Sequence, residues 1–117
     1  MRNEPGNLAR IVHILEAISE IESYISGTSF PEFIENSMMR FATIKQLEII
    51  GEASNHVSND IQERFPGVSW GEIIGFRNIM IHEYFGVDLE MVWDVVLTEL
   101  PALKKQIQEI HKSLASF

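Results

Sequence analysis

The spacing of the apolar side chains constrains this chain more than any other feature. From Asn7 to about Ser26 they fall at Leu8, Ile11, Val12, Leu15, Ile18, Ile21 and Ile25, the three-and-four spacing that lines one face of an α-helix. The period returns in a second region through Phe33, Ile34, Met38, Phe41, Ile44, Leu47 and Ala53. A third runs from Trp70 through Ile73, Ile74, Phe76, Met80 and Ile81 to about Tyr84, and a fourth through Val92, Val95, Val96, Leu100, Leu103, Ile107, Ile110 and Leu114. No segment of useful length alternates apolar and polar residues, as a half-buried strand would. Four amphipathic helices joined by short links hide their apolar faces most economically against one another. The expected fold is therefore all-α, an antiparallel four-helix bundle.

Local signals punctuate this pattern. Gly27-Thr28-Ser29 ends the first helix, and Pro31 suits the first turn of the next, where a missing N–H costs nothing. Fraying is expected near Asn36-Ser37, before a long continuous helix. Ser58-Asn59-Asp60 offers capping side chains to a short extra helix over Ile61 to Phe65, which Pro66-Gly67 terminates. Ser69 and Glu72 have the spacing of a capping box, so the third main helix should begin at Trp70, with Gly86 at its far end. Asp88 can cap the fourth helix, and Pro101 should kink or split it.

At 117 residues the chain suffices for one domain, expected to span 1–117, and its 45% apolar and 22% charged residues are an ordinary globular mixture. The lack of cysteine excludes disulfides, thiolate metal sites and thiol nucleophiles. No run of residues is apolar enough to cross a bilayer, and Met1 to Gly6 lacks the apolar stretch of a secretion signal, so a cytoplasmic protein with no membrane partner is expected. A net charge of −8 repels nucleic-acid phosphates at long range, which confines any nucleic-acid site to a local patch.

Arg77, Asn78, His82 and Glu83 interrupt the otherwise apolar third helix in the string Phe76-Arg77-Asn78-Ile79-Met80-Ile81-His82-Glu83-Tyr84-Phe85. At about 100° per residue, Asn78 lies about 100° and His82 about 140° round the axis from Arg77, with Tyr84 almost above Arg77. Arg77, Asn78, His82 and Tyr84 share one side of the helix, but Arg77 and His82 are not stacked neighbours. A tight pocket using both is easier to build across a dimer interface. Arginine offers a permanent forked cation for a phosphate and histidine exchanges a proton near neutral pH, a combination suited to phosphodiester cleavage without metal or cofactor. Spacing alone favours the plainer reading, in which Arg77 and His82 are ion-pair and hydrogen-bond partners, Tyr84 an anchoring aromatic and Asn78 an interhelical bond. Glu48, Glu52 and His56 fall four residues apart on the second helix. They read as a solvated face in preference to a metal stripe, with Glu52 placed to hydrogen-bond near the third helix.

Arg77, His82 and Tyr84 reproduce the R-x4-H-x-Y pattern of the HepT-like toxins, a branch of the HEPN helical ribonuclease superfamily. Gly51-Glu52-Ala53 after Ile49-Ile50, Ser69-Trp70, Val87-Asp88 and Val92-Trp93 resemble that family in the same order, so the likeness covers most of the chain. The resemblance implies an all-helical homodimer that cleaves RNA as the toxin of a type VII-like toxin–antitoxin pair. Its antitoxin would be a nucleotidyltransferase of the MNT type. By position, Arg77 and His82 would be the catalytic pair, Asn78 and Glu52 would support them, and Tyr84 would be the tyrosine to which the antitoxin attaches AMP. DNA lacks the 2′-hydroxyl that this chemistry uses, so only RNA, including tRNA ends, is an expected substrate. Arg40, Lys45 and Arg64 are the further cations that an RNA site in so acidic a chain would recruit. The competing expectation is a non-catalytic HEPN module that serves a nucleotidyltransferase as partner or substrate-binding subunit.

Overall fold

A computed structural model describes residues 6–78 and 88–116. Those residues form α1 (Asn7–Ile25), α2 (Phe30–Glu35), α3 (Ser37–Asn55), α4 (Asn59–Arg64), α5 (Trp70–Gly75) with a 3-10 turn (Phe76–Asn78), α6 (Leu89–Asp94) with a π turn (Val95–Glu99), and α7 (Leu100–Ala115). The fold is all-α, and no strand occurs among the described residues.

Polar contacts fix the helix directions. Asn7, at the start of α1, exchanges two hydrogen bonds with Ser58, just beyond α3: its amide donates to Ser58 Oγ (3.1 Å), and its carbonyl oxygen accepts from the Ser58 backbone N–H (2.9 Å). Gln46 of α3 donates to the Tyr24 hydroxyl near the other end of α1 (3.3 Å). The two helices are therefore antiparallel. Lys104 at the start of α7 reaches Glu22 near the end of α1 (2.9 Å), which makes α7 antiparallel to α1 as well.

Flanked by α3 and α7, α1 buries Ile11, Ile14, Ala17, Ile18 and Ile21. Each isoleucine side chain removed from water stabilises the fold by about 1.5–3 kcal/mol. The buried stripe is rotated from the one the spacing predicts: Ile14 and Ala17 join it, while Leu8 is left exposed. A helix with two neighbours buries a broader arc than a single seam requires.

The second region is two helices, with the break at Asn36. Ser29 and Glu32 form a reciprocal capping box at the start of α2, the Glu32 carboxylate accepting from the Ser29 backbone N–H at 2.8 Å. That bond and a second from the Ser29 hydroxyl hold the Glu32 carboxyl below its ordinary range. The Asn36 side chain then accepts from Met39 N–H and starts α3 afresh. Ser69, expected to build such a box with Glu72, makes no side-chain cap bond. Its ψ of 70° departs from the extended geometry of Ser29, where ψ is 165°. Ser58 and Asp88 cap α4 and α6 as expected. Ahead of Pro101 the helix widens: the Leu100 N–H bonds Val95 five residues back, and the π turn carries the chain into α7 without ending it. Phe33 of α2 packs on Trp93 of α6 with ring centroids 4.9 Å apart, closing one end of the bundle.

Candidate active site

Arg77 is the middle residue of the 3-10 turn, and this turn presses against α3 at Gly51. A Cβ on residue 51 would stand 2.6 Å from the Arg77 backbone nitrogen and 3.0 Å from the carbonyl oxygens of Ile73 and Ile74. Only glycine admits so close an approach of two backbones. The third region is thus not one regular helix from Trp70 onward. Gly71 and Gly75 weaken it, the Phe76 N–H bonds Ile73 three residues back, and the backbone tightens before Arg77. Across this turn each residue advances about 120°, so the Arg77-to-Asn78 step departs from the 100° of a regular helix.

Glu52 follows Gly51 and places its carboxylate between two cations or potential cations. Oε1 lies 3.7 Å from Arg77 Nη1, while Oε2 accepts a 2.9 Å hydrogen bond from Nε2 of His56, one turn further along α3. The three side chains remain open to solvent at 57%, 38% and 46% exposure for Glu52, Arg77 and His56. Arg77 is therefore oriented without being consumed. A 3.7 Å contact exceeds hydrogen-bond range, so among the described residues Glu52 does not tie up the guanidinium donors that a phosphate would use. Asn78 is half-buried at the end of the same turn. His82 and Tyr84 lie outside the described residues.

Of the stripe of Glu48, Glu52 and His56, Glu52 meets Arg77 and His56 meets Glu52, and no three carboxylate or histidine side chains gather around a metal position among the described residues. Of the further cations considered, Arg40 donates to the Ile34 carbonyl and Arg64 lies over the Phe65 ring near Ser113, each committed elsewhere. Lys45 is exposed and lies seven residues before Glu52, on the same side of α3. A separate cleft beside Phe76 is lined by Glu72, Thr98 and Glu99, an acidic setting that opposes phosphate. Burial, followed by the neighbouring charges of Glu72 and Asp94, pushes the Glu99 carboxyl up.

Two residues of this arrangement escape reasoning from spacing. Gly51 is legible only as a glycine inside a helical pattern, a choice that costs about 1 kcal/mol against alanine and so signals a packing need. His56 is legible only as half of an i, i+4 pair with Glu52, which nothing in the sequence connects to Arg77.

The family described as Ribonuclease HepT-like matches residues 14–110. A protein of Methanocaldococcus jannaschii provisionally designated RNase MJ1380 is 43% identical over 100 residues, 86% of this chain and 92% of that protein. A second provisionally designated RNase, from Caldanaerobacter subterraneus, is 39% identical over 98 residues, 84% of this chain and 88% of the relative. A Thermococcus cleftensis protein designated a probable ribonuclease HepT is 38% identical over 99 residues, covering 85% and 90%. No solved structure matches the chain.

Proposed function

Since the chain belongs to the HepT-like ribonuclease family, we propose that it is the RNA-cleaving toxin of a type VII-like toxin–antitoxin pair, with Arg77 and His82 as its catalytic residues. The observation that carries this reading is the placement of Arg77, seated by a backbone contact only glycine permits and facing solvent beside Glu52. In the proposed reaction the ribose 2′-oxygen attacks the adjacent phosphorus and the 5′-oxygen leaves. The 2′-hydroxyl proton passes to one His82 and the leaving oxygen takes a proton from an imidazolium, while Arg77 stabilises charge on the phosphoryl oxygens. The products are a 2′,3′-cyclic phosphate and a 5′-hydroxyl. Asn78 would orient His82 or the phosphate.

A homodimer would bring two copies of His82 and Arg77 together. An exposed stripe on α3 supports this part of the reading: Met38 and Phe41, 79% and 58% exposed, lie on the side of the helix that also carries Lys45, Glu52 and His56. A second copy covering that apolar stretch would lie alongside Arg77.

Control would be covalent. The MNT-type nucleotidyltransferase would join the Tyr84 hydroxyl oxygen to the α-phosphorus of ATP, pyrophosphate leaving, and so set a negative charge beside the cation that the substrate needs. Substitution tests these assignments. His82→Ala and Arg77→Ala should each abolish RNA cleavage by protein that carries no AMP, while the thermal midpoint changes little. Lost stability with cleavage retained would make both residues structural and favour the nucleotidyltransferase-partner module. Tyr84→Phe should still cleave RNA and accept no AMP, and AMP attachment on that variant would contradict the assignment.

A further inference from the structure

The Glu52 carboxylate poses a problem for any site built on Arg77. A carboxylate four atoms from the backbone can close on a guanidinium with both oxygens, the geometry in which the two groups bind best and in which the guanidinium is least available to a phosphate. In this molecule it does not close. One oxygen is turned to His56 at 2.9 Å and the other stops 3.7 Å from Arg77. His56 lies one helical turn beyond Glu52 on the same side of α3, so its hydrogen bond pulls the carboxylate along the helix and away from a bidentate approach. The Arg77 end is fixed independently, because its backbone nitrogen is pinned over Gly51. With both backbones held, the side-chain torsions of Glu52 and Arg77 together set the separation, and the hydrogen bond to His56 restricts those of Glu52.

We propose that His56 is a positioning residue that keeps Glu52 from neutralising Arg77, so that the guanidinium stays aimed yet open to a substrate phosphate. His56 touches no reacting atom in this account and acts only through Glu52. The inference rests on the reading of Arg77 as the phosphate-binding cation of an RNA-cleaving site. Removing the imidazole frees the carboxylate to pair with Arg77 and compete with RNA. The competition weakens binding more than turnover, and an exposed ion pair of ordinary strength corresponds to about a two- to fivefold rise in KM, with kcat changing less. Replacing Glu52 with glutamine removes the competitor, so the effect of losing His56 should vanish in that background.

The experiment is a double-mutant cycle with two readouts on AMP-free protein: cleavage of a single-stranded RNA in EDTA, and the NMR signal of the Arg77 Nε–H group. Expected results are a raised KM for His56→Ala, equal KM values for Glu52→Gln and the Glu52→Gln/His56→Ala double variant, and a displaced Arg77 signal in His56→Ala that is absent in the double variant. Recovery of the wild-type KM in His56→Gln, whose amide can still donate to Glu52, is also expected. The same KM increase with and without Glu52 would show that His56 acts on its own and would overturn the proposal. So would an Arg77 signal unmoved by His56→Ala. If wild-type protein cleaves no RNA, the ribonuclease reading falls, while the Arg77 signal still decides whether His56 governs the Glu52–Arg77 pair.

Discussion

A methyl group at residue 51 is the smallest change that probes how the site is assembled. In an open helix position glycine to alanine gains up to about 1 kcal/mol. At Gly51 the added carbon meets three backbone atoms at 3.0 Å or less, and backbone cannot swing aside as a flexible side chain can. Gly51→Ala should therefore destabilise the protein by about 1–3 kcal/mol in urea unfolding and displace Arg77, lowering RNA cleavage where the protein is still folded. Gly71 supplies the control. It has nothing within 4 Å of its hypothetical Cβ, so Gly71→Ala should be neutral or stabilising by up to about 1 kcal/mol. Equal effects at the two glycines would mean that the approach of α3 to the Arg77 turn is not what glycine secures. The site was half legible at this scale. Arg77 and Glu52 stand out by residue type and family pattern, whereas their meeting depends on a backbone contact between segments more than twenty residues apart, which periodicity does not encode.

Among the elements, helix starts distinguish sequence spacing from realised geometry. Ser29–Glu32 and Ser69–Glu72 share one spacing, yet only the first closes into a reciprocal box. Ser29→Ala should accordingly cost about 1 kcal/mol and Ser69→Ala close to nothing, as measured by thermal unfolding. A comparable loss at both would contradict the assignment. The apolar period revealed the main helices because burial repeats with the helix, but not the full extent of each buried face, since Leu8, Ile34, Met38 and Phe41 are exposed. The restart at Asn36, where one cap resets the phase, was legible only as expected fraying, and the tightening before Arg77 was hidden. The π turn at Val95–Glu99 was legible only as a disturbance near Pro101, and its position carries a pH consequence. Glu99 holds its proton more tightly in the folded chain than in the unfolded one, because burial and the charges of Glu72 and Asp94 oppose ionisation. The folded state therefore pays no penalty below the ordinary carboxyl range, and the full penalty once pH exceeds the raised value. Glu99→Gln should raise the thermal midpoint at neutral pH, with the gain shrinking to nothing as the solution is acidified below the ordinary carboxyl range. A gain independent of pH would show that ionisation is not its source.

For the whole molecule, charge and exposed apolar surface pull in different directions. The net charge of −8 opposes RNA, so in the proposed reading binding would come from the local field of Arg77, reinforced in a dimer by its symmetry mate. Met38 and Phe41 offer such a dimer an apolar contact on the same side of α3 as Glu52. The double substitution Met38→Glu and Phe41→Glu should give monomers by light scattering, with helical content retained and RNA cleavage lost. An unchanged dimer would remove that face from the interface, and active monomers would contradict the composite site. Whether this HepT-like chain cleaves RNA through its own side chains shows in the ends of the products. AMP-free wild-type protein and His82→Ala would be incubated in EDTA with a tRNA and single-stranded RNA panel and with matching oligonucleotides carrying 2′-deoxyribose. Cleavage is expected from the wild type alone, only where a 2′-hydroxyl is present, leaving 2′,3′-cyclic phosphate and 5′-hydroxyl ends. Cleavage of the deoxy substrates, 5′-phosphate ends, or equal cleavage by His82→Ala would contradict the proposed reaction.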